Sequence, residues 1–258
     1  MALLQTEGLT AHYGDFQALF GVDIALNEAE VVAIIGANGA GKTTLMRSIS
    51  GVLRNAPSMV QYHGAAIGGH PADEIMAQGV AMVPEGRKLF PSLSVEENLL
   101  IGAYGRKTGG HWSLETIYDL FPILREKRNN PGTALSGGQQ QMVAIGRAVM
   151  SNPRVLLCDE ISLGLAPVVI KDIYKAVPAI KAAGASLIVV EQDIGQAMAV
   201  ADRVYCMMEG RVTLSGTPEN LSRDAIHDAY FGAAACSGWI QSYKGSCWAG
   251  FMRFLRQG

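Results

Sequence analysis

No apolar run in these 258 residues approaches the roughly 18–20 residues that a bilayer-crossing helix needs. An excess of one charge is also missing. The chain carries 21 Lys and Arg against 23 Asp and Glu, with only 17% of residues charged. That balance leaves no basic footprint for nucleic acid, so no nucleic-acid partner is expected. The N-terminus carries Glu7 and no basic n-region, which argues against a signal peptide and for a cytoplasmic protein. Cysteine is scarce and lacks zinc-ligand spacing. Cys158 and Cys206 lie in strand-like runs, and Cys236 and Cys247 sit near the C-terminus, so free thiols are favoured over disulfides. There is no internal repeat, no low-complexity tract and no coiled-coil heptad.

What is present is a 49% hydrophobic chain, long enough for one large domain or a core with a small insertion. Residues 3–30 read as short antiparallel strands, with Val22–Leu26 alternating as a half-buried one. The apolar run Val31–Ile35 leads through a loop into a helix over Thr43–Ile49, closed by Gly51. Residues 52–79 read as connections around a short strand at Val60–Tyr62, followed by a buried strand at Val80–Val83. Helical patterning then runs to about Arg128. Ser94 and Glu97 form a capping-box start, and Pro122 breaks the apolar stripe Leu114, Ile117, Tyr118, Phe121, Leu124.

Beyond it the pattern alternates: helix Gln139–Met150, strand Val155–Cys158, helix Val168–Ala183, strand Ser186–Val190 and helix Gly195–Ala201. Strands at Val204–Met208 and Arg211–Ser215 follow. Such alternation predicts an α/β fold, a mostly parallel sheet with helices on both faces. An antiparallel β edge precedes it, and a helical subdomain is inserted at about 86–150.

Three segments carry the chemistry. Gly36-Ala37-Asn38-Gly39-Ala40-Gly41-Lys42-Thr43 satisfies G-x-x-x-x-G-K-[ST] at every fixed position, between a strand and a helix. Its glycines let several N–H groups converge on one anion, and the following helix adds its positive end. Lys42 is expected on the β/γ-phosphates and the Thr43 hydroxyl on Mg²⁺. A glycine-rich turn that binds nothing would not need lysine and threonine at those places. Leu135-Ser136-Gly137-Gly138-Gln139 is a second glycine-rich phosphate contact. Val155-Leu156-Leu157-Cys158-Asp159-Glu160 is an apolar strand tipped by two carboxylates. On the residues alone Glu160 reads as a surface or helix-capping carboxylate at the end of an apolar strand, and Tyr13 as a packed or edge-strand residue.

With these segments in this order the chain resembles the ATP-binding subunits of ABC transporters. Within them it is most similar to the LivF-type ATPases of branched-chain amino acid importers. The finer likeness rests on Val83-Pro84-Glu85-Gly86-Arg87, on Leu135–Met142, on Ser162-Leu163-Gly164-Leu165-Ala166-Pro167 and on Val190-Glu191-Gln192. It covers residues 2 to about 232, so the expected organisation is an ATPase domain over 1–232 and an extension over 233–258. The resemblance implies a P-loop ATPase core using ATP and Mg²⁺. Tyr13 would stack on adenine, and Gly36, Asn38, Gly39, Ala40, Gly41, Lys42, Thr43 and Thr44 would hold the phosphates and metal. Glu85 would sense the metal and the attacking water. Asp159 would order the Mg²⁺ shell, Glu160 would polarise the hydrolytic water, and Gln192 stands where most relatives carry histidine. Ser136, Gly137, Gly138 and Gln139 would contact the γ-phosphate held by an opposite subunit.

The implied partners are two transmembrane permease subunits, a second ATPase subunit paired head-to-tail and, indirectly, an extracytoplasmic solute-binding protein. The chain would sit peripherally on the inner membrane face, docking through the helical insert, especially Arg87–Asn98. The same engine on a urea, amide or lipid transporter, or a non-transport ABC ATPase, are the alternatives. Ile161 replaces a usual proline and is expected to loosen the turn at Glu160; Ala29 replaces a usual turn glycine. Near the C-terminus Trp248, Phe251, Met252 and Leu255 recur at helical spacing among Lys244, Arg253 and Arg256. That segment reads as a basic amphipathic surface for a membrane or partner, or as an accidental extension.

Overall fold

A computed structural model describes residues 2–106 and 109–231. Among them the chain runs β1 (Leu4–Tyr13), β2 (Phe16–Leu26), β3 (Val31–Ile35), α1 (Lys42–Ile49), β4 (Val60–Tyr62), β5 (Ala65–Ala66), α2 (Ala72–Ala77) and β6 (Val80–Val83). Then follow α3 (Val95–Gly102), α4 (Leu114–Leu120), α5 (Pro122–Glu126), α6 (Gly137–Val149), β7 (Val155–Asp159), α7 (Pro167–Tyr174) and α8 (Ala176–Ala182). The last elements are β8 (Ser186–Glu191), α9 (Ile194–Val200), β9 (Arg203–Met208), β10 (Arg211–Gly216) and α10 (Arg223–Phe231). The amphipathic segment read at 248–255 lies outside the described residues.

Strands β10-β9-β3-β8-β7-β6 form one sheet in that order, parallel except for β10. β3, β7 and β8 are buried at every position, as expected for strands covered on both faces. Alternate residues serve different layers. Val32 and Ile34 pack in one core with Leu45, Met46 and Ile49 of α1 and with Leu4, Leu19 and Leu26 of the β1–β2 sheet. Leu156, Cys158, Leu187 and Val189 face a second core built from the helices α3 to α8. Ala33, Ile35, Val204 and Cys206 meet α9 and α10. The helix α1 is thereby held between the parallel sheet and the antiparallel sheet β2-β1-β4-β5.

The α/β reading, the parallel sheet and the strand positions all stand. Several elements differ in detail. β1 and β2 are not short but pair along most of their 10 and 11 residues. The stretch read as connections contains α2, which buries only Ile75 and so carries too little periodicity to recognise. The single helix expected over Val168–Ala183 is two, α7 and α8, divided at Lys175. Pro178 explains this: it has no N–H for the Tyr174 carbonyl, and its ring crowds that carbonyl. Pro122 likewise separates α4 from α5, as predicted. Ala29, at the expected glycine position, adopts φ 54, a left-handed conformation that glycine would enter freely.

The helices between β6 and β7 begin at a loop tied down by Asn98, which is fully buried. Its Oδ1 accepts the Phe90 N–H at 2.9 Å, and its Nδ2 donates to the carbonyls of Phe90, Leu93 and Ser94 at 3.1, 3.2 and 2.9 Å. Ser94 completes the predicted capping box with Glu97, so cap and tether act on one turn. Replacing Asn98 by alanine strands several buried polar groups at once. We expect Asn98→Ala to cost about 2–4 kcal/mol of unfolding free energy, measured by urea denaturation of the full chain.

Candidate functional site: a phosphate loop facing a carboxylate cluster

The carboxyl ends of β3, β6, β7 and β8 meet at one edge, because Ile35 pairs with Glu191, Asp159 with Val190 and Val83 with Cys158. Ligands of open parallel sheets bind at that edge. Here it opens into a cleft of about 1010 Å³ whose walls include Tyr13, Asn38, Lys42, Thr43, Glu85, Glu160 and Gln192.

The loop 36–41 can curl this tightly because of Gly36. A Cβ there would lie 2.3 Å from the Met207 carbonyl oxygen of β9, so no side chain fits. Gly41, at φ 98, turns the backbone into α1, whose first residue is Lys42. The Lys42 ammonium is nearly sealed from solvent. Its Nζ donates to the carbonyls of Gly36 at 2.7 Å and Ala37 at 3.1 Å and lies 3.4 Å from Glu160 Oε1. The other carboxylate oxygen of Glu160 accepts from Gln192 Nε2 at 2.8 Å. Glu160 itself is left-handed, φ 48, with its N–H bonded to the Val190 carbonyl at 3.1 Å.

Beside this pair the Thr43 hydroxyl donates to Asp159 Oδ1 at 3.3 Å, while Asp159 Oδ2 is buried with no hydrogen-bond partner. Burial pushes the Asp159 carboxyl up to about 6; the charges of Glu160 and Glu85 add to this, against the Thr43 hydrogen bond and Lys42. An orphaned acidic oxygen next to a hydroxyl and two further carboxylates is a place that a divalent cation fits. Among the described residues no group of three or more His, Cys, Asp or Glu forms a metal cage. A cation here would therefore take its remaining ligands from phosphate and water, as Mg²⁺ does.

Most residues singled out in the sequence converge on this cleft. Tyr13, Asn38, Gly39, Gly41, Lys42, Thr43, Thr44, Glu85, Glu160 and Gln192 line it. Asp159 adjoins it through Thr43, and the Ala40 carbonyl accepts the Gly210 N–H at 3.0 Å just behind the loop. Ser136, Gly137, Gly138 and Gln139 are not among its walls. They form the first turn of α6, where Ser136 and Gln139 cap each other: Ser136 Oγ accepts the Gln139 N–H and Gln139 Oε1 accepts the Ser136 N–H. Gly138 has a packing reason as well, since a Cβ there would meet Val169 Cγ1 of α7 at 2.2 Å. Ile161, at the position where a usual proline is replaced, is 2% exposed and packs in the larger core.

Sequence reasoning missed Phe16, Leu163 and Arg211, which also line the cleft. Tyr13 pairs with Phe16 across the two-residue turn Gly14-Asp15, and both rings are exposed, 41% and 70%. The Y-G-D-F spacing was the available signal, since a two-residue hairpin sets its flanking residues side by side.

A phosphate loop on the central strand, a buried lysine and a carboxylate-tipped strand two positions away define a P-loop nucleoside triphosphatase. The ABC transporter family profile matches residues 19–162. BraG of Pseudomonas aeruginosa, a high-affinity branched-chain amino acid transport ATP-binding protein, is 39% identical over 232 residues, which cover 89% of this chain and all of BraG. LivF of Archaeoglobus fulgidus, a probable branched-chain amino acid transport ATP-binding protein, is 32% identical over 85% of this chain and 94% of its own length. The solved structure of a nucleotide-free ATP-binding cassette from an ABC transporter superposes with a TM-score of 0.74 at 29% identity, covering 89% of this chain and 95% of that one. The chain belongs to the ABC transporter family, as one of its ATP-binding and ATP-hydrolysing cassettes.

The raised Asp159 carboxyl has a measurable sign. In the folded, ligand-free chain Asp159 holds its proton up to about pH 6, above its ordinary value of 3.8. Its contribution thus falls as pH rises through that window, and above it the buried charge is a cost. We expect Asp159→Asn to stabilise the ligand-free chain at pH 8 by about 1–3 kcal/mol, a gain that vanishes toward pH 4. Thermal melts of both proteins across pH 4–8 would read it, and equal pH profiles would contradict it.

Proposed function

We propose that this chain is the ATP-hydrolysing subunit of a membrane importer for branched-chain or related hydrophobic amino acids. The observation that carries the reading is the match to BraG over that protein's full length, on a chain whose cleft is lined by Lys42, Thr43, Glu85 and Glu160. No helix among the described residues is long and apolar enough to cross a membrane, so the transport path belongs to other subunits.

In this reading ATP lies with its adenine against Tyr13 and its phosphates on the amides of residues 36–44. The Lys42 ammonium leaves Glu160 for the β/γ-phosphates, where it neutralises developing charge. Thr43, Asp159 and Glu85 would hold Mg²⁺, which when bound would offset negative charge on the phosphate oxygens. Glu160, released from Lys42 and still held by Gln192, accepts a proton from water as that oxygen attacks the γ-phosphorus and the bond to ADP breaks. Ser136, Gly137 and Gly138 stand outside the cleft of their own chain. The Gly137 and Gly138 N–H groups, at the start of α6, and the Ser136 hydroxyl serve the γ-phosphate of a second ATPase subunit. Hydrolysis then requires two subunits closed on ATP.

The permease surface is wider than the segment 87–98 singled out from the sequence, in which Asn98 is buried and Arg87 half-buried. A groove of about 370 Å³ runs between the core and the start of the helical insert. Met76, Ile101 and Tyr104 line it with 45%, 38% and 86% of their surface exposed. Apolar surface of this kind calls for a partner, and a membrane permease's intracellular helix suits its width and chemistry.

Two experiments test the reading. Glu160→Gln should lower kcat by at least about 100-fold with ATP binding retained, whereas Gln192→Ala should lower it by less. Unchanged turnover in Glu160→Gln would end the assignment of the base. For docking, Ile101→Asp together with Tyr104→Asp should abolish co-purification with membrane subunits while the chain alone still binds ATP. Full recovery of the complex would rule the groove out.

A further inference from the structure

Glu191 is a buried carboxylate, 1% exposed, that the hydrolytic chemistry described above leaves unused. Its Oε2 accepts the Ser162 hydroxyl at 2.5 Å, and its Oε1 accepts the Tyr174 hydroxyl. A carboxylate accepts at both of its oxygens, here one hydroxyl on each, and charged acceptors hold donors more firmly than neutral ones.

The location gives those bonds a purpose. Three consecutive residues at the end of β8 grip the turn that carries Glu160. The Val190 carbonyl takes the Glu160 N–H, the Glu191 carboxylate takes the Ser162 hydroxyl, and Gln192 Nε2 donates to the Glu160 carboxylate. Glu160 needs that support, because a left-handed backbone at a residue with a Cβ persists only where its surroundings hold it. Ile161 anchors the turn from the core side, but its apolar contacts are not directional. Tyr174 extends the hold to the last residue of α7, so the segment 162–174 is pinned at both ends to one carboxylate.

We propose that Glu191 is a positioning residue for hydrolysis: by holding Ser162 and Tyr174 it sets the turn that aims Glu160, while Gln192, next in the chain, orients the Glu160 carboxylate. The proposal rests on the reading of Glu160 as the base that accepts the water proton.

The test uses the full chain assembled with the membrane subunits that co-purify with it, and compares Glu191→Gln, Ser162→Ala, their double variant and Glu160→Gln. Ser162 is only half-buried, so Ser162→Ala keeps the fold and decides the matter even if Glu191→Gln is too unstable to assay. Glu191→Gln and Ser162→Ala should each lower kcat about tenfold while KM for ATP stays within about twofold. The double variant should be no slower than the worse single one, because the two side chains act as a unit. A fall in melting temperature with kcat retained would make Glu191 a purely structural carboxylate and overturn the proposal. Full turnover in Glu160→Gln would instead overturn the reading of Glu160, a result separable from either.

Discussion

The Lys42 ammonium, almost fully enclosed at the carboxyl edge of the sheet, is the constraint around which the site is arranged. A buried cation persists only when its donors are satisfied, and Lys42 meets this with two loop carbonyls and the Glu160 carboxylate. Those carbonyls come from the loop that Gly36 allows to pass against β9. The carboxylate comes from a left-handed residue that β8 holds in place. Loop, base and sheet edge are thus coupled through one charge. In the function proposed above, phosphate oxygens supplied to that charge would free the Glu160 carboxylate.

The same edge concentrates negative charge. Burial, with the charges of Glu160 and Glu85 adding to it, holds the Asp159 carboxyl well above its ordinary range with one oxygen unpaired. A buried acidic oxygen without a partner is unfavourable in the ligand-free chain. The left-handed backbone at Glu160 is likewise a local cost that the surrounding core maintains. The turn at Ser136 is capped by the reciprocal Ser136 and Gln139 hydrogen bonds and lies outside the walls of this cleft.

Much of this was legible in the residues. The apolar runs Val31–Ile35, Val155–Cys158 and Ser186–Val190 could only be buried strands, and Gly36–Thr43 between strand and helix fixed where phosphate would go. The capping box at Ser94 and the break at Pro122 were local signals, and local structure obeyed them. What escaped was either short or non-local. α2 buries one side chain, too few to make a period, and the division of α7 from α8 needed Pro178 to be weighed against an otherwise continuous pattern. Phe16 joins Tyr13 only because a hairpin turns between them. The ion pair of Lys42 with Glu160, and the hold of Glu191 on Ser162, link residues 118 and 29 positions apart in ways no spacing rule states.

The measurement that bears most directly on this account is a structure of the full chain, with Glu160→Gln to halt turnover, bound to ATP and Mg²⁺. The account predicts the Lys42 ammonium on the β- and γ-phosphate oxygens, the metal beside Thr43 and Asp159, and the adenine against Tyr13. Nucleotide bound elsewhere, or Lys42 still held by the loop carbonyls with no phosphate contact, would contradict it.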